Sequence, residues 1–240
     1  MGTLLICVLQ YQGHLHFGSG WPRAVLDDSL LPNTATAWLQ KNRPPANLYN
    51  TYGPGGYILY HLGPETKVFM DGRNDVYERK VWGDYWDIQN GIMSLDEAVS
   101  RYGVNTFFIY CKQNNENPNN LANRLTAHPD WRLVYFDDSY AVYVRLTPET
   151  ADYVRERAFQ IVSPFALERL STALRHPDSR QTAMQEIATA LERSGGCAKA
   201  HLLASFAAKE TGDQATAARE MDLAARRDPT VAVMRSPQGR

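Results

Sequence analysis

The fold is decided by residues 131–145, WRLVYFDDSYAVYVR, which contain two apolar runs around Asp137-Asp138-Ser139. Each run has the length of a strand and is rich in aromatic and β-branched residues, and the polar residues between them are typical of a hairpin turn. Residues 106–110, TFFIY, are a further apolar run, which indicates a central strand buried on both faces. The sequence therefore predicts a sheet that ends in an antiparallel hairpin.

Short helices and strands alternate upstream of this hairpin, from residue 32 onward. Helices are predicted at residues 34–42, 57–62, 76–86, 95–102 and 121–127. Two additional strands are predicted at residues 47–52 and 67–70. Ser94 and Glu97 have the spacing of a capping box, and Gly103 ends the helix that follows. This alternation predicts an α/β fold, a three-layer, mostly parallel sheet with the antiparallel hairpin at one edge.

The composition changes after Pro148, where Ala, Arg, Glu and Leu dominate and the hydrophobic period becomes helical. Residues 198–229 match the register of the 34-residue tetratricopeptide pattern. Ala204 falls on the small residue of the first helix, and Gly212-Asp213 on the turn. The second-helix positions fall on Ala217, Met221 and Ala224, and the closing proline is Pro229. The chain after residue 148 is therefore predicted to be an all-α helical-repeat tail.

A degenerate earlier repeat is predicted over residues 164–195 by counting back about 34 residues. Its turn falls on Asp178-Ser179, and its second-helix positions fall on Ala183, Ile187 and Ala190. Two repeats are fewer than the three or more that usually make a free-standing solenoid. We therefore expect the repeats to dock on the α/β domain or to continue in a partner.

Composition and charge exclude several classes of protein. Of the 240 residues, 44% are hydrophobic and 21% are charged, which excludes a collagen, a mucin stalk and a wholly disordered chain. The formal net charge of −1 provides no basic field, so no nucleic-acid partner is expected. Cys7, Cys111 and Cys197 lie far apart without CxxC spacing, which favours free, buried thiols over a zinc or redox site.

The N-terminus carries an apolar run, residues 4–9, with no basic residue before it. The run is shorter than the roughly 20 residues of a membrane helix and lacks the features of a signal peptide. It is interpreted either as a first strand or as the end of a helix. The predicted divisions are residues 1–17 (a membrane-helix remnant or N-terminal strand), 18–147 (a soluble α/β domain), 148–231 (tetratricopeptide-like repeats) and 232–240 (a flexible tail).

The strongest local feature is residues 68–77, VFMDGRNDVY, which follow a predicted strand. Side chains at the carboxyl ends of strands line the ligand crevice of α/β sheets, so Asp71, Arg73 and Asp75 are candidates to hold sugar hydroxyls or a phosphate. The commoner alternative is that Arg73 is enclosed between two acids and braces the loop. The exposure of Arg73 distinguishes the two hypotheses, because a fully enclosed guanidinium supports the brace.

Residues 50–57, NTYGPGGY, place glycines between a strand and a helix. Backbone N–H groups at the start of a helix suit an anion. The spacing matches neither GxGxxG nor GxxxxGK[ST], and a plain tight turn is the simpler interpretation. Trp82, Tyr85 and Trp86 form either an aromatic platform for a sugar or base or a cover for the sheet, which is the commoner role of such residues.

No catalytic or metal-binding constellation is present in the sequence. His14 and His16 have no third ligand nearby, and the other four histidines are scattered without an HExxH motif or a Ser-His-Asp set. We therefore expect no metal and no cofactor. Catalysis is not assigned to this chain alone.

The order of these motifs resembles the soluble C-terminal domain of bacterial polytopic membrane proteins of the GT-C glycosyltransferase type. The match covers residues 18–145, and ten residues fall in register: Asn50, Tyr52, Gly55, Gly56, Tyr57, Asp71, Gly72, Arg73, Asp75 and Tyr77. The resemblance implies many transmembrane helices upstream, with residues 4–9 as the tail of the last one. It also implies a location on the extracytoplasmic face of the bacterial inner membrane, with any glycosyl-transfer carboxylates in the upstream membrane part.

The leading hypothesis is a non-catalytic soluble accessory domain that binds a glycan, a lipid-linked sugar or a protein acceptor beside a membrane module. The candidate ligand-binding residues are Asn50, Tyr52, Gly55, Gly56, Tyr57, Asp71, Arg73, Asp75 and Tyr77. The helical repeats would contact a protein partner. The alternative is a purely structural interaction module that acts through the repeats. A stand-alone enzyme is disfavoured, because the sequence supplies no nucleophile–base pair.

Overall fold

The computed structural model describes residues 31–63, 65–112, 119–228 and 230–231. Within these ranges the chain is mixed α/β, with ten α-helices and a four-stranded sheet. In chain order the elements are α1 (Asn33–Asn42), β1 (Leu48–Asn50), α2 (Gly55–Leu62), a 3-10 helix (Asn74–Val76), α3 (Arg79–Asn90), α4 (Leu95–Tyr102), β2 (Thr106–Tyr110), α5 (Leu121–Ala127), β3 (Trp131–Phe136), β4 (Tyr140–Arg145), α6 (Ala151–Arg157), α7 (Leu167–Leu174), α8 (Pro177–Arg193), α9 (Ala198–Glu210) and α10 (Gln214–Arg227). The expectations for residues 1–17, including Cys7, His14 and His16, and for the tail at 232–240 lie outside the described residues.

The sheet is mixed, so the prediction of a mostly parallel sheet is wrong. Its strand order is β1-β2-β4-β3. Strand β1 is parallel to β2, whereas β4 is antiparallel to both β2 and β3. The helical connection between β1 and β2 gives the expected parallel pair, but the return strand of the hairpin inserts between β2 and β3. The antiparallel hairpin is confirmed, and its first strand, β3, forms an edge of the sheet.

Alternate side chains of the central strands belong to two hydrophobic clusters. Phe107 and Tyr143 pack in one cluster with residues of α3, α4 and α5, and Phe108 and Val142 pack in the other with residues of α1 and α6. All four side chains are at most 1% exposed. Because successive side chains of a strand point to opposite faces, both faces of these strands are buried, as predicted for residues 106–110.

The strand predicted at residues 67–70 is reduced to one parallel bridge between Val68 and Leu48. The segment runs beside β1, but its backbone is held by a side chain. The Asn50 amide accepts a hydrogen bond from the Phe69 N–H and donates one to the Met70 carbonyl. Since the amide takes the place of ladder bonds at this edge, the segment does not continue as a strand.

Local capping signals determine where several elements begin. The Ser94 hydroxyl accepts a hydrogen bond from the Glu97 N–H at 3.0 Å, which confirms the predicted cap of α4. Asp137 Oδ1 accepts hydrogen bonds from the Ser139 and Tyr140 N–H groups at 2.8 and 2.7 Å, which closes the predicted hairpin turn. The helix predicted over residues 76–86 begins only at Arg79, because a 3-10 turn occupies the residues before it.

Helices α9 and α10 form a hairpin whose turn is Gly212-Asp213, as predicted. Gly212 has a φ of 87°, which glycine adopts without strain. The Asp213 side chain accepts a hydrogen bond from the Thr216 N–H at 3.0 Å and caps α10. The close contact between the helices is made by Ser205, one residue after the predicted Ala204, because the Ser205 hydroxyl donates to the Ala217 carbonyl at 2.7 Å.

The hairpin of α7 and α8 departs from the predicted register. Asp178 and Ser179 do not form the turn; they lie in the first turn of α8, which begins at Pro177. Proline suits this position, since the first N–H groups of a helix have no partner within the helix. The buried positions of α8 were predicted correctly, and each is at most 3% exposed: Ala183, Ile187 and Ala190.

The helical tail docks on the α/β part, which is the first of the two expected arrangements. One hydrophobic cluster contains Phe107 and Tyr143 of the sheet together with Leu170, Ile187 and Leu203 of the tail. Two half-buried charged side chains, those of Glu186 and Arg193, add hydrogen bonds between the tail and the α/β part. The Glu186 carboxylate accepts hydrogen bonds from the backbone N–H groups of residues 160–162 at 2.7 to 2.9 Å. The Arg193 guanidinium donates to the carbonyls of Val134 and Arg157 at 2.9 and 2.5 Å.

The two cysteines within the described ranges are free and buried, as predicted. Burial raises the pKa of the Cys111 thiol to about 11 and that of Cys197 to about 12. Both thiols therefore stay protonated and unreactive at neutral pH. Among the helices that the structure describes, none has both the length and the apolar character needed to cross a membrane.

Candidate functional site

The candidate residues are arranged around the arginine loop, defined as residues 71–77, which follows the segment beside β1. Asn50, the last residue of β1, is fully buried and hydrogen-bonds to the backbone of this segment. Its Nδ2 donates to the Met70 carbonyl at 2.7 Å, and its Oδ1 accepts from the Phe69 N–H at 2.8 Å. Asn50 is therefore a structural support for the loop and is not itself available to a ligand.

Gly55, in the glycine turn, lies against the backbone that leads into the arginine loop. A Cβ atom on Gly55 would lie 2.0 Å from the Met70 carbonyl oxygen, so only glycine permits this approach of α2 to the segment. A Cβ atom on the exposed Gly56 would meet nothing within 4 Å. The first glycine therefore serves close packing, which agrees with the tight-turn interpretation.

Asp71 and Arg73 form the central pair of the arginine loop. The Asp71 carboxylate is only 2% exposed and accepts hydrogen bonds from the Arg73 N–H, Nε and Nη2 at 2.8, 3.0 and 2.6 Å. These bonds, foremost those from the guanidinium, lower the pKa of Asp71 to about 2, and a hydrogen bond with the Tyr77 hydroxyl contributes. Asp71 is therefore ionised throughout the physiological range and cannot act as a general acid there.

Arg73 is not enclosed, which contradicts the hypothesis of a complete internal brace. Its side chain is 69% exposed although that of Asp71 is buried. The predicted arrangement of two acids around the guanidinium is also wrong, since within the described chain Asp75 forms no ion pair with Arg73. Asp75 lies in the 3-10 helix, which interrupts the extended backbone that the predicted alternation requires.

Next to the arginine loop lies an aromatic row, which consists of Tyr52, Trp82, Tyr85 and Trp86. The centroids of successive rings are 5.3, 6.4 and 5.2 Å apart. The Tyr52 hydroxyl donates to Asn74 Oδ1 at 2.6 Å and so connects the row to the loop. Tyr85 is buried in the core, which agrees with a cover for the sheet. Trp86 is 55% exposed, which is compatible with an aromatic platform.

Tyr57 and Tyr77 do not lie in equivalent positions. Tyr77 is half-buried beside Asp71, and burial raises the pKa of its hydroxyl. Tyr57 faces α1 instead, where its hydroxyl hydrogen-bonds to Asn33 Oδ1 and its ring lies 4.2 Å from that of His61. The structure therefore groups Tyr52, Arg73 and Tyr77 at one surface and separates Tyr57 from them.

One ionic cluster was not predicted from the sequence. Asp84 in α3 accepts hydrogen bonds from Arg101 Nη1 at 2.7 Å and from the Tyr102 hydroxyl in α4. These bonds lower the pKa of Asp84, and burial together with Asp84 raises the pKa of Tyr102 to about 12. The cluster joins two neighbouring helices. No spacing rule reveals it, because the partners belong to different helices.

This surface combines an exposed guanidinium, an exposed asparagine side chain and a row of aromatic rings in which Trp86 is exposed. Within the described ranges, no group of three His, Cys, Asp or Glu side chains is placed to hold a metal ion. Comparisons of the chain with protein-family models, curated proteins and solved structures find no match.

Proposed function

We propose that the chain is a non-catalytic module that binds a glycan at the surface formed by the arginine loop and the aromatic row. The observation that carries this proposal is the 69% exposure of the Arg73 side chain, whose carboxylate partner is buried. The buried Asp71 fixes the guanidinium in one orientation, so little further conformational entropy is lost on binding. The remaining N–H donors of Arg73 suit the hydroxyl oxygens of a sugar.

The aromatic row supports the same proposal. Sugars combine hydroxyl groups with apolar C–H faces, and an aromatic ring with an exposed face packs against such a surface. Trp86 is 55% exposed, and Trp82 is half-buried between Tyr52 and Tyr85. Polar and aromatic groups of the kind that a glycan requires therefore lie side by side.

The test is a screen of the full chain on an oligosaccharide array, followed by calorimetric titration of each oligosaccharide that binds. Arg73→Gln and Trp86→Ala should each weaken binding about tenfold, the value of one charge-assisted hydrogen bond or one ring contact. Tyr60→Ala is the matched control, because Tyr60 is 84% exposed and lies outside the aromatic row. Binding to no oligosaccharide, or equal weakening by the control, would overturn the proposal.

The membrane context is proposed from the sequence resemblance alone. In that context the module acts on the extracytoplasmic face, beside transmembrane helices that carry any glycosyl-transfer activity, and the glycan is presented on a lipid carrier. Titration of the same oligosaccharide in free form and on a lipid in nanodiscs tests this point. Tighter binding to the lipid-linked form supports the membrane context, whereas equal binding supports recognition of the sugar alone.

The three-layer arrangement of the sheet and helices and the tetratricopeptide-like packing of the tail are also proposed. A three-layer arrangement is supported by the two hydrophobic clusters, each of which contains alternate residues of β2 and β4. Tetratricopeptide-like packing of the tail is supported by the Gly212-Asp213 turn and by the Ser205–Ala217 contact. An experimental structure in which α7–α8 and α9–α10 superpose as successive repeats would establish the second point, and a failure to superpose would refute it.

A second candidate function, protein interaction through the tail, is favoured by a groove along α9. The groove encloses about 470 Å³, and its lining includes apolar side chains, three lysines and two aspartates: Leu202, Phe206, Met221, Lys112, Lys199, Lys209, Asp138 and Asp228. Its lysines and apolar side chains suit a partner segment that carries acidic and apolar residues. Lys209→Glu should weaken binding of a peptide of that composition, and an unchanged affinity would argue against this candidate.

A further inference from the structure

The guanidinium of Arg73 keeps hydrogen-bond donors for a ligand although it is already paired. A guanidinium carries its N–H groups in a planar fork, so one side can bind an acid while the other side stays open. Nε and Nη2 of Arg73 donate to the Asp71 carboxylate at 3.0 and 2.6 Å. These bonds leave the N–H groups of Nη1 and one N–H of Nη2. The Tyr77 hydroxyl also interacts with the guanidinium, yet 69% of the Arg73 side chain is exposed.

The charge of Arg73, in contrast, is balanced within the protein. The Asp71 carboxylate is 2% exposed, and its pKa of about 2 keeps it ionised at neutral pH. Because the two charges are in direct contact, their fields largely cancel at the position of a ligand outside the loop. A ligand at this surface therefore meets the N–H donors of Arg73 without a full positive charge.

The charges that flank the pair provide no excess of positive charge either. Residues 71–80 contain three acidic and three basic side chains. Four of them are exposed and form no ion pair within the described chain, and they are two acids and two bases: Asp75, Glu78, Arg79 and Lys80. An anionic ligand would thus approach two carboxylates that nothing in the described chain neutralises. Electrostatic attraction of an acidic group to this surface is therefore weak.

Asn74 adds an uncharged donor next to Arg73. Its Oδ1 accepts a hydrogen bond from the Tyr52 hydroxyl at 2.6 Å, whereas its Nδ2 has no hydrogen-bond partner among the described residues. The exposed carboxylate of Asp75, the next residue, is an acceptor. A sugar hydroxyl both donates and accepts hydrogen bonds, but a carboxylate only accepts them. The mixture of donors and acceptors in this loop therefore matches hydroxyl groups better than it matches an acid.

We propose that the glycan-binding surface selects uncharged sugars that present two neighbouring hydroxyl groups, and that it discriminates against acidic sugars. The two hydroxyl oxygens accept hydrogen bonds from the open side of the Arg73 fork, which suits a pair of adjacent oxygens. Asp71 orients this fork and removes its net charge. The inference rests on the proposed glycan binding and specifies the class of sugar. Selection of an acidic sugar would instead require an arginine whose charge is not balanced.

The experiment compares oligosaccharides that differ in one group only. Glucose-terminated and galactose-terminated oligosaccharides are titrated calorimetrically into the full chain, beside the glucuronate and galacturonate analogues in which the terminal CH2OH is a carboxylate. The neighbouring ring hydroxyls are the same in both members of a pair. We expect the neutral member to bind about fivefold more tightly, because the acid is repelled by Asp75 and Glu78 and gains little from the balanced Arg73.

Two further measurements test the reason for this preference. Affinity for the neutral member should change by less than about twofold between about 50 and 500 mM salt, since no net charge is paired on binding. A deoxy analogue that lacks one of the two neighbouring hydroxyls should bind about tenfold more weakly, the effect of one hydrogen bond to a charged group.

Asp71→Asn should change the specificity as well as the affinity. The substitution leaves the positive charge of Arg73 without its buried partner, so the ratio of neutral to acidic affinity should fall about tenfold. Asp75→Asn is the matched control, because it removes the same charge from the same loop but from a residue that forms no ion pair with Arg73. The control should change the ratio by less than about threefold. Dispersed NMR spectra establish that each variant is folded.

The outcomes separate this inference from the function on which it rests. Binding of neither member of any pair would refute glycan binding itself. Equal or tighter binding of the acidic member would refute the selection of neutral sugars while glycan binding stands, and so would an affinity that falls steeply with salt. An unchanged ratio in a folded Asp71→Asn would refute the role of the buried acid. If that variant does not fold, the pairs and the salt dependence of the wild type still decide the question.

Discussion

The arginine loop and the β3 cavity, which is lined by Trp131, Leu133, Tyr143 and Arg169, use an arginine in opposite ways. Arg73 donates to the buried carboxylate of Asp71 two residues before it, and the pair is complete without a ligand. Arg169 lines a cavity that has no aspartate or glutamate among its described lining residues. The first region stabilises its own loop, whereas the arginine of the second forms no ion pair within the described residues.

This difference shows that a conspicuous sequence motif and a cavity need not coincide. The acid and the arginine of the loop are close in sequence and neutralise each other. The lining residues of the cavity come from separate elements, and within the described residues Arg169 forms no ion pair, although Glu168 precedes it in the sequence. The following predictions test how far the two regions differ, from the largest expected effect to the smallest.

The packing beneath the arginine loop should be the most sensitive to substitution. Gly55→Ala places a Cβ atom 2.0 Å from the Met70 carbonyl oxygen, and the backbone must move to relieve the contact. We expect a loss of about 3 kcal/mol in the free energy of unfolding, at the upper end for overpacking. Urea denaturation measures it. Gly56→Ala is the control and should be neutral or stabilising by up to about 1 kcal/mol, because the site is open.

The ion pair of the loop should contribute less than this packing but more than any exposed charge. Asp71→Asn keeps the shape of the side chain and removes the charge that accepts three hydrogen bonds from Arg73. We expect the free energy of unfolding to fall by about 2 kcal/mol. The exposed Asp75 provides the comparison, and Asp75→Asn should change stability by less than about 0.5 kcal/mol. Equal effects of the two substitutions would contradict the difference that the structure shows.

Acid should weaken the arginine loop in a defined pH window. The folded-state pKa of Asp71 is about 2, below its ordinary value of 3.8, so the carboxylate binds protons more weakly in the folded state than in the unfolded state. Its contribution to stability is therefore complete above about pH 4 and is lost as the pH falls through 2. Urea denaturation at pH 4.5, 3 and 2 should show a smaller loss in Asp71→Asn than in the wild type. Parallel curves for the two proteins would refute the assignment.

The arginine of the cavity should have the smallest effect on stability. Arg169 is exposed and, among the described residues, forms no ion pair, so its removal breaks no protein contact of this kind. Arg169→Gln should therefore change the free energy of unfolding by less than about 0.5 kcal/mol. Thermal unfolding without added anions measures this. A loss comparable to that of Asp71→Asn would mean that Arg169 already has a partner within the fold.

Local features of the fold could be predicted from the sequence, but the order of the strands could not. The cap at Ser94 and the turn at Asp137 depend on neighbouring residues and are confirmed. The insertion of β4 between β2 and β3 is a choice among long-range pairings that alternation does not determine. The turn predicted at Asp178-Ser179 is wrong for a different reason. The 34-residue spacing of the repeat predicts a turn there, but Pro177 favours the start of a helix, and the helix begins at that residue.

The candidate site was predicted only as far as residue types and spacing allow. The sequence indicated that Asp71 and Arg73 belong together, but not that one would be buried and the other exposed. Asn50 and Gly55 were selected as ligand candidates, yet both support the backbone near Met70. Their roles depend on contacts with Met70, which lies 20 residues after Asn50 and 15 residues after Gly55, and no local pattern records such contacts. The β3 cavity was missed entirely for the same reason.

The Glu186 carboxylate, which caps three backbone N–H groups at residues 160–162, has a practical consequence for dividing the chain. An expression fragment that stops between α6 and α7, near residue 165, would keep these three N–H groups but lose their acceptor, and would also expose the sheet side of a shared hydrophobic cluster. Such a fragment is expected to aggregate, since large exposed apolar patches promote association. For transplantation into another protein, the sheet and at least α6–α8 form the smallest unit to move together.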